Sequence, residues 1–296
     1  MPPDRASGIF ETQRPRLLRL AYRMLGSIVE AEDVVQDAWL RWAKVSNELA
    51  EPAAYLTRIV TRLCLDQTRS ARVRRETYVG AWLPDPLIGS IEDHEDLDDD
   101  LTLGLMLALE RLSPLERAAF LLHDVFAVAL SEIAVTLDRE PAAVRQLAAR
   151  ARRHVQAQKP RFIVAKADAE RITTAFFTAA RDGDVTRLRA LLADDVVLHS
   201  DGGGKVLAFL NPIRGLAKTL RLFAGLARKH VFEPRMLRIV SIDGLPGYIS
   251  IDRGEVLQTT ALQIQDGRIN AIYITRNPDK LQHVLSEGTV TSNGSV

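Results

Sequence analysis

The stretch Leu130–Val155, LSEIAVTLDREPAAVRQLAARARRHV, constrains this chain most. Ile133, Ala134 and Leu137 make a short apolar stripe, and a tight turn follows at Asp138–Arg139–Glu140. Pro141 suits the first position of a new helix, where its missing N–H costs nothing. Val144, Leu147, Ala148 and Ala151 then recur at the spacing of a half-buried helix. The opposite face carries Arg145, Gln146, Arg150, Arg152 and Arg153. Two short helices with guanidinium and amide groups on the exposed face of the second suit the DNA major groove. Arginine pairs bidentately with guanine, glutamine with adenine, and the remaining arginines with phosphate. A helical hairpin with a solvated basic face has the same periodicity. Against the DNA reading, the turn position often held by glycine is Asp138, which tolerates a left-handed backbone less well.

A length of 296 residues suggests two or three domains, and 47% apolar with 26% charged residues is ordinary for a soluble globular protein. No run approaches the ~18 apolar residues of a membrane span, and MPPDRASGIFETQRPRL lacks the apolar core of a signal peptide. Cys64 is the only cysteine, which excludes an internal disulfide or a cysteine-rich metal site. These features fit a cytoplasmic protein. The net charge of +1 hides a segregation. Residues 52–80 hold six arginines against two carboxylates, residues 139–161 seven cations against one, and residues 91–100 seven carboxylates and no Lys or Arg. Two basic blocks flanking an acidic one suggest two nucleic-acid contacts and a loop that competes with phosphate. Solvated surfaces would give the same pattern, most readily for the acidic block.

Along the chain, Ile9 to Leu25 reads as an amphipathic helix ended by Gly26, with Pro15 near its first turn or kinking it. The next helix, Glu30 to about Lys44, has Ala31, Val34, Val35, Ala38 and Trp42 on its apolar side. Trp39 lies at the edge of that stripe, and core packing is expected for at least one of the two tryptophans. From Ala53 to Arg75, apolar residues alternate with Arg58, Arg62 and Arg69. That helix is a core element on one side and a cationic rail on the other.

The order EDVVQDAWLRW, a short loop, then YLTRIVTRLCLDQTRSARVRR resembles region 2 of bacterial RNA polymerase sigma factors of the extracytoplasmic-function (ECF) type. ALERLSPLERAAFLLHDVFAVALSEIA with REPAAVRQLAARARR is similar to their region 4. The resemblance implies a promoter-specificity subunit whose partners are core RNA polymerase and promoter DNA. It places Asp33, Val34, Gln36, Asp37 and Trp39 on the helix that binds the polymerase clamp. Ser46 and Asn47 fall where the family captures an unstacked base of the −10 element, and Arg58, Arg62, Asp66 and Arg69 on the −10 helix. Arg145, Gln146, Arg150 and Arg153 fall on the −35 reader. An extruded base shows its Watson–Crick edge, and arginines on phosphate supply salt-dependent affinity.

Residues 76–100 contain two prolines, two glycines and the acidic run, which predicts a tether rather than a long helix. Its segment YVGAWLPDPL is aromatic and apolar, and resembles the linker of an ECF subgroup with a fused C-terminal domain. Such a segment, with Trp82, Leu83 and Pro84, is expected to dock. Leu101–Arg111 reads as an apolar helix, and Ser113–Pro114–Leu115–Glu116 as a capping box opening another.

After Pro160 two helical stripes, joined at Asp182–Gly183–Asp184, precede the strand-like runs VVLHS, LRIVS, YISI, EVLQTTALQI and RINAIYIT. Gln265–Asp266–Gly267–Arg268 is a hairpin signal between the last two. Two or three helices followed by an antiparallel sheet predict an α+β domain, which resembles the cone-shaped SnoaL-like folds. Asp201–Gly202–Gly203–Gly204–Lys205 follows the first strand and Asn277–Pro278–Asp279–Lys280 follows the last. Both resemble motifs of the fused subgroup that are implicated in controlling the sigma core. A glycine-rich turn, or a nest for an anion, are the readings the residues themselves leave open.

The expected architecture is a mainly α N-terminal half followed by a SnoaL-like α+β domain. Its parts are region 2 over residues 1–75, a linker over 76–100, region 4 over 101–160 and a regulatory domain over 165–287. SnoaL-like domains include enzymes, and His199 with Asp201, assisted by Asp195 or Asp252, is the candidate acid–base set. Fold alone does not establish catalysis, and no catalytic residue, metal or cofactor is assigned. Two other readings remain: a helix-turn-helix regulator with a ligand-sensing domain, or a bifunctional protein whose last domain is an enzyme. A small ligand of the C-terminal domain is left open.

Overall fold

Gly26 stops the first helix where the sequence places the stop: its φ is 71°, and its N–H reaches back to Tyr22 O at 2.6 Å. In the computed structural model, which describes residues 3–45, 49–89, 103–156, 165–229 and 233–284, the chain forms two units. One contains residues 1–77 and 105–158, the other residues 78–104 and 159–296.

The first unit contains α1 (Pro3–Leu25), α2 (Ile28–Trp42), α3 (Pro52–Glu76), most of α4 (Leu103–Glu110), α5 (Pro114–Phe120), α6 (Leu130–Leu137) and α7 (Pro141–Gln156). Of the two places expected for Pro15, the first turn is not the one it takes. The helix begins well before it, so Pro15 lies inside α1 and leaves one rung of the ladder unmade. Trp42 is core, 1% exposed, with its indole N–H on Ala6 O at 2.8 Å. The capping box forms as read: the Ser113 hydroxyl accepts from Glu116 N at 3.3 Å, and the Glu116 carboxylate accepts from Ser113 N at 3.1 Å. Burial alone would raise the Glu116 carboxyl, but the Ser113 hydrogen bonds, with Arg150 and His154 nearby, hold it below its usual value. A π-helical turn, Leu121–Val125, leads toward α6.

Asp138 settles the turn of the helix pair. It adopts the left-handed conformation (φ 53°, ψ 56°) at the C-terminus of α6, a conformation that a short polar side chain can tolerate without glycine.

The second unit contains α8 (Lys166–Asp182), α9 (Val185–Leu191), α10 (Leu216–Ala227) and a sheet of β1 (Ile88–Gly89), β2 (Leu192–Asp201), β3 (Ile213–Arg214), β4 (Arg235–Ile242), β5 (Leu245–Asp252), β6 (Val256–Gln265) and β7 (Arg268–Thr275). The strand order is β1-β4-β5-β6-β7-β2-β3. The hairpin at Asp266–Gly267 has positive φ at both central residues (52° and 73°), as a tight β-hairpin turn requires. The sheet is not wholly antiparallel: β2 runs parallel to β7, because the first long strand inserts beside the last. Phe176, Leu198, Phe223, Tyr248, Leu262 and Ile272 fill the space between the helices and one face. Alternation along β2 turns His199 and Asp201 to the other face. Residues 78–89 and 277–284 reach that face, and their Leu83, Leu281 and Val284 are buried.

Candidate functional sites

The clamp-facing residues expected on α2 are divided by its amphipathicity. Asp33, Gln36 and Asp37 are exposed, and Trp39 is half-buried with its ring 5.1 Å from Phe10. Val34 does not share that surface: it is fully buried, because its place in the 3.6-residue period is the core stripe. Sequence reading missed Val29 and Leu40, which are 62% and 52% exposed on the acidic side of the helix. The available signal was spacing: Asp33, Gln36, Asp37 and Leu40 follow Val29 by four, seven, eight and eleven residues, the period of one helix face. Two large apolar side chains flanking two carboxylates form a surface suited to a protein partner.

Arg58, Arg62 and Asp66 follow one another at four-residue intervals on α3. Arg58 is half-buried, while Arg62 and Asp66 are exposed. Arg62 is already engaged: its guanidinium donates to Thr136 O at 3.2 Å and Val135 O at 3.3 Å, at the C-terminal end of α6. Arg16 and Arg23 lie over the Phe126 ring at 5.3 and 5.4 Å, and Arg16 also donates to Phe126 O. The first two helical regions therefore pack within a single unit. Ser46 and Asn47 lie outside the described residues, as does the Arg69 side chain. On α7, Arg145, Gln146, Arg150 and Arg153 are all exposed, and Val144, Ala148, Ala151 and Val155 are buried. Arg152 turns instead to Asp124 at 2.5 Å, and Arg150 sits 3.9 Å from Glu116.

In the second unit, Asp201 is the hub. Its carboxylate is fully buried and accepts four hydrogen bonds: from Tyr78 Oη (2.5 Å), Leu83 N (2.9 Å), Gly203 N (3.0 Å) and Lys280 Nζ (2.9 Å). Lys280 also donates to Leu83 O, and its ammonium lies 4.3 Å from the Trp82 ring centroid and 5.1 Å from that of Tyr78. Asn277 donates to Tyr78 Oη at 2.8 Å. Burial and the hydrogen bond to Asp201 push the Tyr78 hydroxyl well above its ordinary pKa. His283 Nε2 contacts Pro86 O at 2.7 Å, and β1 pairs with β4 through Ile88 and Ile242. Pro84 is buried, and Lys205 meets Asp279 at 2.6 Å on the surface.

The glycine motif serves close approach. A Cβ on Gly203 would lie 2.4 Å from Asn277, and one on Gly202 only 2.2 Å from Val206 O. The sequence therefore located both motifs and the aromatic segment that they hold. It missed Tyr78, whose hydroxyl joins Asp201 and Asn277; its place in YVGAWLPDPL was the only signal.

The acid–base set is not brought together for catalysis. His199 stacks on Tyr273 at 5.3 Å, Asp201 is surrounded by its four donors, Asp252 pairs with Arg276 at 3.2 Å, and Asp195 is exposed. A groove of about 760 Å³ lies elsewhere, lined by Glu170, Arg171, Thr178, Arg187 and Ile239 among others.

An exposed basic helix behind a tight turn, a second arginine-bearing helix and a partner-suited helix before it define a DNA-directed transcription protein. Residues 9–74 match the Sigma-70 region 2 family and residues 103–155 match Sigma-70, region 4. The chain is 38% identical over 287 residues to the ECF RNA polymerase sigma factor SigJ of Mycobacterium tuberculosis, covering 92% of this chain and 91% of that protein. It is 31% identical over 290 residues to the probable ECF RNA polymerase sigma factor SigI of the same species, covering 96% and 97%. The crystal structure of M. tuberculosis SigJ matches with a TM-score of 0.74 and 33% identity, over 93% of this chain and 98% of that one. The chain belongs to the ECF RNA polymerase sigma factors: it directs RNA polymerase to promoters to initiate transcription.

Proposed function

We propose that the exposed α2 face, Val29, Asp33, Gln36, Asp37 and Leu40, docks on core polymerase. The α3 arginines hold the −10 element, and Arg145, Gln146, Arg150 and Arg153 of α7 read or grip the −35 element. The protein acts in the cytoplasm, where its polymerase and DNA are. The C-terminal domain regulates by capturing residues 78–89, and it is not an enzyme.

The capture of Tyr78 and Leu83 by Asp201 carries the regulatory part of this reading. Those residues follow α3 directly and precede α4. A free chain from Glu76 to Leu103 spans up to about 90 Å when fully extended, whereas from Gly89 it spans up to about 48 Å. Docking therefore shortens the free chain between region 2 and region 4. In vitro transcription by wild-type, Trp82→Ala and Gly203→Asp full-length protein tests this. Both variants are expected to change output severalfold at matched concentration, with unchanged affinity for core. Wild-type output from both would sink the regulatory assignment.

A further inference from the structure

Residues 202–232 contain six cations and not one carboxylate, in a chain whose net charge is only +1. One of the six, Lys205, is paired with Asp279. Arg214, Lys218, Arg221, Arg228 and Lys229 are exposed. At 100° per residue, Lys218, Arg221, Arg228 and Lys229 share one arc of about 100° on and just beyond α10. Thr219, Leu220 and Phe223 bury the opposite side. None of these five cations forms an ion pair with a described carboxylate. Arg221 and Arg228 use one N–H each on carbonyls of their own helix, Ala217 O and Ala224 O, which leaves the outer guanidinium edge to solvent.

Fold stability does not account for this arrangement. Lys218 lies in the first turn of α10, where the helix dipole disfavours a cation and where the helix has no acidic residue. Lys218 and Arg221 are like charges three residues apart, a spacing that weakens a helix. A linear, unpaired cationic stripe matches a linear polyanion. From Lys218 to Lys229 it runs about 16 Å, the rise of roughly five nucleotides on one strand of duplex DNA.

We infer that this face of α10, with Arg214, grips the phosphate backbone of the promoter duplex, a third DNA contact supplied by the C-terminal domain. The inference rests on the sigma-factor reading only in taking promoter DNA as the polyanion present. Backbone contact carries affinity without sequence preference. The stripe therefore adds strength to whatever register the promoter-reading helices select.

The test uses full-length protein bound to core polymerase, titrated on promoter duplex across a range of salt concentrations. Lys218→Glu/Arg221→Glu should make the slope of log K against log salt shallower by about 2, since each phosphate contact contributes ~0.9. Base preference should not change. Lys218→Gln/Arg221→Gln, which adds no repulsion, should give a similar slope change, and unchanged thermal unfolding would show that both variants are folded. An unaltered slope in both variants overturns the inference. So does an affinity loss restricted to particular sequences. Two controls identify other occupants: loss of binding to phosphatidylserine vesicles with an unaltered DNA slope makes the ligand a lipid surface, and loss of core affinity without DNA makes it a protein. Either result overturns the DNA assignment. If wild-type protein failed to discriminate promoter from random duplex, the sigma reading would fail, and the slope comparison could still be made on random duplex.

Discussion

Tyr78 and Asp201, 123 residues apart in the chain, share a 2.5 Å hydrogen bond between phenol and carboxylate. That carboxylate is also paired with Lys280 at 2.9 Å, with side chains 0% and 9% exposed respectively. A buried ion pair stabilises little by itself, but removing one partner strands the other charge.

Asp201→Asn should therefore loosen the captured segment more than the loss of one hydrogen bond would. The penalty is on the order of 3 kcal/mol, which corresponds to a roughly hundredfold larger population of the locally opened state. Hydrogen exchange at the Leu83 amide is the direct readout, since that N–H donates to Asp201. Protection at Leu83 equal to wild type would refute the hub. Protection in the α8 and β6 core should persist.

The Tyr78 hydroxyl gives a pH dependence. Burial first, then the bond to Asp201, raises its folded pKa, so the neutral phenol is the form that docks. Its contribution is complete below the unfolded value of 10.0 and is lost as pH rises beyond that, because the unfolded chain gives up its proton first. Denaturant midpoints measured from about pH 8 to 11 should fall across the upper half of that range. Tyr78→Phe should be less stable at neutral pH and should show a shallower fall. Some slope remains in this variant, because burial also raises Tyr248 and Tyr273, the latter to about 12.

These two residues also mark where sequence reading stopped. Asp201 and Lys280 sit in short motifs of unusual composition, and the glycines beside Asp201 signalled a close approach. The approaching side chain was not legible, since nothing local to Gly203 names Asn277. Helix periodicity gave α2 and α7 with their exposed faces, because burying one stripe fixes the other. The parallel β2–β7 pair and the two-residue β1 depend on contacts between segments far apart in the chain, so no local pattern encodes them. The engagement of Arg62 with backbone carbonyls of α6 was equally hidden, since a carbonyl acceptor has no sequence signature.

On α2, Asp37→Arg should weaken core polymerase binding by tenfold or more, and Leu40→Ala by a smaller factor. Each of these exposed side chains can be changed without opening the core. A hot-spot pattern is expected, with Val29→Ala intermediate. Equal core affinity for Asp37→Arg and wild type in a titration would remove α2 from the interface.

Arg62 is held by α6 through Thr136 O and Val135 O, so two of its five N–H donors are withheld from phosphate while this packing lasts. Phe126, which carries Arg16 and Arg23 over its ring, belongs to the same packing. Phe126→Ala should remove about 0.5–1 kcal/mol for each cation–π contact, in addition to packing. Dyes on α3 and α7 should then report a larger mean separation and tighter DNA binding by the free protein. An unchanged separation would mean that this packing does not restrain the two regions.

Arg145 and Arg153 should behave differently although both are exposed arginines on one helix. Arg145 is in the second turn of α7, near the N-terminal end that a helix-turn-helix directs at base edges. Arg153 is two turns further on, beyond the end of the helix that such a motif directs at base edges. Arg145→Ala should cost ~1–3 kcal/mol at the preferred −35 sequence and relax preference at one base pair. Arg153→Ala should weaken binding to all sequences alike and make the salt slope shallower by about 0.9. Gln146→Ala, beside Arg145, should relax an adjacent position with little effect on the slope, because an uncharged amide releases no counterion. Competition titrations on a panel of single-base −35 variants at two salt concentrations separate the roles. If Arg145→Ala lost the same factor on every duplex, its guanidinium would be on phosphate, and base reading would have to come from Gln146 and Arg150.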